Sequence, residues 1–170
     1  MQLSHARWTL IGLVRIVFGI VWLIDAQFKW RPAFIDGMAS YLTGALTGQP
    51  AAVQAWIRFW VDIVNINPTF FAIFVALAET ALAFALILGL FTNLAYLGGS
   101  LLAFVIWSTA EGFGGPYVVG STDIGAAIIY LFVFALLFLT RAGAVLGLDA
   151  RLSPRLGRWA FLGAGQPRQS

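Results

Sequence analysis

Cysteine is absent from the 170-residue chain, and histidine occurs once, at His5. The first absence removes disulfides, a dithiol redox centre, a cysteine–metal site and a cysteine nucleophile. The second removes a histidine-rich metal site and a haem held between two histidines of one chain. Charge is scarce as well, with ten Lys and Arg against seven Asp and Glu. No stretch alternates basic and aromatic residues on a polar face, so the net charge of +3 carries no sign of nucleic-acid binding. Internal repeats and low-complexity segments are also missing.

Apolar residues fill the space that charge leaves. They make up 61% of the chain, with a mean hydropathy of +0.89, which belongs to the membrane class. Residues 69–90 are an apolar run with one ionisable side chain, Glu79, near its middle. About 20 residues at 1.5 Å each match the roughly 30 Å hydrocarbon layer of a bilayer. The pattern predicts an all-α integral membrane protein with four spans, at about 8–28, 69–90, 94–110 and 124–139. An interfacial segment (29–68) lies between the first two, and a basic cytoplasmic tail (151–170) follows the domain at 1–150. Arg7 and the apolar run after it have the look of a signal peptide. Arg15 interrupts that run, and no small-x-small cleavage site follows before Asp25, which favours a retained first span.

Within the first span, Arg15, Gly19, Trp22, Ala26 and Lys29 recur every three or four residues and make one stripe facing the bundle. Leu13, Ile16, Val17, Ile20, Leu23 and Ile24 on the opposite face suit lipid. Between Ala51 and Ile63 an amphipathic, Trp-bearing helix is predicted at the membrane surface. Ser121 or Thr122 is expected to cap the fourth span, with Asp123 in its first turn. Basic residues divide the ends. Arg7, Arg141, Arg151, Arg155, Arg158 and Arg168 gather on one side, which places both termini in the cytoplasm and makes the protein a multi-pass one of the cell membrane.

A carboxylate at bilayer depth is costly, so Glu79 must face a partner. Counting along the helices puts Arg15 about 10 Å and Glu79 about 16 Å from opposite surfaces, close enough to expect an ion pair. Glu79 and Arg15 are therefore the candidate catalytic pair, with Glu79 as proton acceptor; a purely structural pair is the other reading. A second group lies near the outer surface. Lys29, Arg31, Trp22, Trp107, Glu111, Asp123 and Tyr130 are the candidate ligand-binding residues, with aromatic walls and polar ends that suit a flat, partly polar ligand or a small anion. The stripe Ser100, Phe104, Trp107 and Glu111 is expected to bring the third span to this site, and Asp123, Ala127, Tyr130 and Phe134 the fourth.

Five short motifs recur in a characteristic order. They are Arg15-x-x-x-Gly19 with Lys29, Glu79 in the second span, Gly89-Leu-Phe-Thr92, Gly120-Ser-Thr-Asp-Ile-Gly125, and Gly147-Leu-Asp149. On these residues, covering about 8–150, the chain resembles the DoxX family of small four-helix membrane proteins, and within it the DoxD type. Gly147 stands where a Ser usually precedes Leu-Asp in that family. The resemblance implies a subunit beside a membrane quinone pool, coupling thiosulfate oxidation to quinone reduction as part of a thiosulfate:quinone oxidoreductase. It implies quinone as ligand, and a second redox subunit or another copy of the chain as partner. Metal and haem are not expected. No electron carrier can be built from these residues alone. A membrane scaffold or assembly partner without catalysis is the alternative.

Overall fold

The computed structural model describes residues 5–165, with the His5 side chain outside the description; Arg168 of the expected tail also lies outside the described residues. The chain is all-helical, with no strand among the described residues. The elements are α1 (His5–Lys29), α2 (Pro32–Gly44), α3 (Ala51–Asn65), α4 (Pro68–Leu88), α5 (Thr92–Ser108), α6 (Ala127–Leu139) and α7 (Asp149–Leu152). Short 3-10 turns lie at Gly112–Gly114, Ala142–Ala144, Ser153–Arg155 and Gly157–Leu162.

Local chemistry sets the ends of α4. The Asn67 side chain accepts a hydrogen bond from the Phe70 N–H at 3.0 Å, and Pro68 occupies the first turn, where its missing N–H is not needed. Gly89 then stops the helix in the left-handed region, at φ +63°. α1 and α4 are each long and apolar enough to cross a membrane, while α5 and α6 are shorter apolar helices.

α1 packs along α4, and α5 along α6. Small residues let the backbones approach closely. Gly19 of α1 meets Leu86 and Ile87 of α4, and Gly99 of α5 lies under the Phe134 ring of α6. Phe18, Trp22, Leu86, Tyr96 and Phe134 form the core between the two pairs. Phe18 stands edge-on to both Tyr130 and Phe134, at 5.6 and 4.9 Å between ring centres, so α1 also touches α6. The α1 stripe read from the sequence is the buried face: Arg15, Gly19, Trp22 and Ala26 are inside and Lys29 is half-buried. Opposite, Leu13, Val17, Ile20 and Ile24 are exposed, whereas Ile16 and Leu23 are half-buried, Leu23 against the core.

Three sequence expectations are corrected. Segment 29–68 contains two helices, because α2 forms through Gly37, whose α-hydrogens face open space, and seats Met38 and Leu42 beside Ile57 and Val61 of α3. α6 begins at Ala127 rather than 124, because Gly125 sits at φ +88° and interrupts any earlier helix. α5 turns Tyr96, Gly99 and Ala103 inward; Phe104 of the expected inward stripe is 38% exposed. The small face wins because only Gly99 leaves room for the Phe134 ring.

Candidate functional site

The two ends of the α1–α4 pair each hold a buried polar cluster. The register is fixed by Gly19 on Leu86 and Ile87, which brings Arg15 level with Gly89 and leaves Glu79 some ten residues, about 15 Å, further along. The expected Arg15–Glu79 pair is therefore not formed. Counting each residue from the end of its own helix assumed that the two helices start in common planes, and they do not.

Arg15 is fully buried and spends its guanidinium on backbone carbonyls. It donates to Leu86 O, to Ile87 O at 3.4 Å, to Val145 O at 3.2 Å and to Leu146 O at 2.8 Å. A cation here satisfies carbonyls left open at the α4 C-terminus, where the helix dipole also favours positive charge. Nearby, buried Asp149 accepts from the N–H groups of Phe91 (2.7 Å), Thr92 (3.0 Å) and Ala164 (2.9 Å), and from the Thr92 hydroxyl at 2.5 Å. Asp149 thus caps α5 from a distant part of the chain. Its role was missed in the site reading, although the Gly147-Leu-Asp149 motif marked the place. Arg15, Gly89, Thr92 and Gly147 all meet here; a side chain on Gly89 would strike Gly147 and the Arg15 guanidinium.

The second cluster lies near the C-terminal end of α1. Lys29 Nζ is 2.8 Å from Asp25 Oδ2, one turn back on the same helix, and 3.5 Å from Glu79 Oε2 on α4. The ammonium also lies 5.5 Å from the centre of the Phe34 ring. The Glu79 side chain is 0% exposed, while that of Asp25 is 42% exposed. Glu79 accepts no hydrogen bond of ordinary geometry from the described residues, so Lys29 is its counter-charge. The Trp22 indole N–H is buried and likewise lacks an acceptor among the described residues. Tyr130 packs beside Trp22, with the two ring centres 5.6 Å apart. Two carboxylates share one ammonium, so uptake of one proton leaves this cluster neutral.

Of the expected site residues, the fold brings together Glu79, Lys29, Trp22 and Tyr130, and adds Asp25. The others are occupied elsewhere. Glu111 accepts from the Ala127 N–H at 3.1 Å and so caps α6, the role expected of Ser121 or Thr122. Trp107 donates to Ile124 O at 2.8 Å and packs edge-on against Phe113. Asp123 is exposed and accepts from its neighbour's N–H, at Ile124. Arg31 is exposed and lies over the Phe28 ring, 4.6 Å from its centre.

The chain thus belongs, by its architecture, to the all-helical proteins with apolar helices and buried charge. No protein-family model, curated protein or solved structure matches it.

Proposed function

We propose that the chain is a four-span membrane protein that seats a quinone head group at the Asp25–Lys29–Glu79 cluster and serves as the membrane subunit of a quinone-linked redox complex. The observation that carries this reading is Glu79, sealed from solvent and opposed by Lys29, beside the unpartnered Trp22 indole. Ionisable groups inside membrane-spanning helices are costly, and they mark proton relays and ligand sites.

The four-span arrangement is supported by the outward faces of all four apolar helices. Val17 on α1, Phe74 on α4, Leu101 on α5 and Leu136 on α6 are all well exposed and all apolar. The α6 helix alone covers about 20 Å, shorter than the roughly 30 Å layer. The arginines of the 141–158 stretch, with Arg7, support a cytoplasmic position for that end by the positive-inside rule.

A bound quinone accepts two electrons and two protons. The residues here would supply one of those protons, from Glu79, and the fit; the second would enter from outside by way of the half-exposed Asp25. Glu79 holds a proton within the apolar layer, Lys29 compensates the carboxylate when that proton leaves, and the half-exposed Asp25 links the cluster to the outside. Trp22 offers an N–H to a carbonyl oxygen, and Tyr130 a ring to a flat ligand. The electrons come from a partner subunit, for which the DoxX-like motifs suggest thiosulfate oxidation.

The test is quinone reduction with thiosulfate in membranes holding the chain and its partner, compared with Glu79→Gln. Loss of rate with full yield of folded protein supports the reading. A second reading, a scaffold without catalysis, is favoured by the cytoplasmic cluster, where the bonds made by Arg15 and Asp149 go to the chain itself. On that reading the same variant loses assembly instead. Unchanged rate and yield would remove Glu79 from both.

A further inference from the structure

Beyond α6 the chain carries Arg141, Arg151, Arg155 and Arg158, and its one acid in the described part of this stretch is Asp149. Asp149 is fully buried and saturated by four donors, so it compensates none of the exposed positive charge. The stretch does not trail away. Asn93, in the first turn of α5, donates to Phe161 O at 3.0 Å and to Gly163 O at 2.9 Å, and Arg141 holds Ala164 O through its Nε at 3.0 Å. These ties fix residues 151–165 as a strap across the ends of α5 and α6.

The strap turns Arg151, Arg155 and Arg158 outward together with Trp159 and Phe161, which are 50% and 64% exposed. The Arg158 guanidinium lies over the Trp159 ring at 5.4 Å. The patch adjoins the exposed apolar end of α6, where Phe138 and Leu139 line one cleft with Phe161. Exposed aromatics beside arginines, continuous with a lipid-facing belt, suit the head-group zone of a bilayer, where the rings sit among the head groups and the cations face phosphate.

We infer that this strap is a docking surface for anionic lipid head groups on the cytoplasmic leaflet, with Arg151, Arg155 and Arg158 holding phosphate and Trp159 and Phe161 inserted beside it. The inference rests on the membrane-spanning reading and is independent of the quinone. Charge decides for lipid: three exposed arginines with no exposed acid beside them face a leaflet that is itself negative.

The test uses the purified full chain reconstituted in phosphatidylcholine vesicles, with spin-labelled phosphatidylglycerol or spin-labelled phosphatidylcholine as the probe. A motionally restricted component from the phosphatidylcholine probe reports a lipid-facing protein wall whatever its charge. Its absence would overturn the spanning reading and the inference with it. Given that component, phosphatidylglycerol should be preferred on the order of fivefold, the effect of one well-placed arginine near an anionic surface. The preference should fall towards unity in the triple variant R151Q/R155Q/R158Q and in about 0.5 M salt. The three arginines are exposed, so the variant keeps its fold, checked by its helical circular dichroism. A preference of one in the wild type would overturn the inference and leave the strap to an acidic protein partner. An undiminished preference in the triple variant would overturn it too.

Discussion

Replacing Asp149 by Ala removes one carboxylate from the Arg15 end of the bundle and leaves four donors without it. The Thr92 hydroxyl can rotate to another acceptor, and the Phe91 N–H is partly open to water. The Thr92 and Ala164 N–H groups are buried, at 3.0 and 2.9 Å from the carboxylate, and cannot turn away. A buried donor left without an acceptor costs about 1–3 kcal/mol. Two of them predict a loss of about 2–6 kcal/mol. For a chain of this length each kcal/mol moves the melting temperature by about 2–4 °C, so the variant should melt at least about 4 °C early. Asp149→Asn should fall between, because its one oxygen can keep some donors while its amide faces the rest. The assay is thermal unfolding of the purified full chain in detergent, followed by tryptophan fluorescence. Melting of Asp149→Ala within about 2 °C of the wild type would refute the argument that this carboxylate ties α5 to the C-terminal strap.

Other outcomes follow from the same geometry. Gly19→Ala places a methyl group 2.8–2.9 Å from Ile87 and Leu86, so it should cost about 1–3 kcal/mol in the same melting assay. Glu111→Ala uncaps α6 and should cost about 1 kcal/mol, while Asp123→Ala, whose carboxylate touches only its neighbour's N–H, should leave the melting temperature unmoved. The chain has no cysteine, so single cysteines at Val119 and Arg155 are unique probes. In sealed vesicles a membrane-impermeant maleimide should label them from opposite sides; labelling of both from one side would contradict the orientation proposed above.

How far the sequence could be read depended on the range of the interaction. Periodicity along α1 identified the buried stripe from Arg15 to Ala26, because a helix turns by the same angle at every residue. The offset between helices is a tertiary quantity, and it depends on which small residue meets which neighbour. Gly19 against Leu86 and Ile87 sets it, and this moved Arg15 from Glu79 to the carbonyls at the end of α4. Lys29 then inherited Glu79, a pairing hidden from any count made one helix at a time. Gly37 lies inside α2, whereas Gly125, read as part of the fourth span, holds a positive φ that ends helical geometry before Ala127. The cap of α6 by Glu111 and that of α5 by Asp149 come from residues 16 and 57 positions away, beyond the reach of local capping patterns.

The central claim is that the Asp25–Lys29–Glu79 cluster beside Trp22 and Tyr130 binds a quinone. Its most direct measurement is a titration of the purified full chain in lipid nanodiscs with a water-soluble short-chain quinone, followed by quenching of tryptophan fluorescence. The account predicts saturable quenching in the wild type, and binding weakened by about tenfold or more in Glu79→Gln, the effect of one lost interaction with a charged partner, with the melting temperature little changed. Quenching that never saturates, or saturation equally tight in the wild type and in Glu79→Gln, would contradict it.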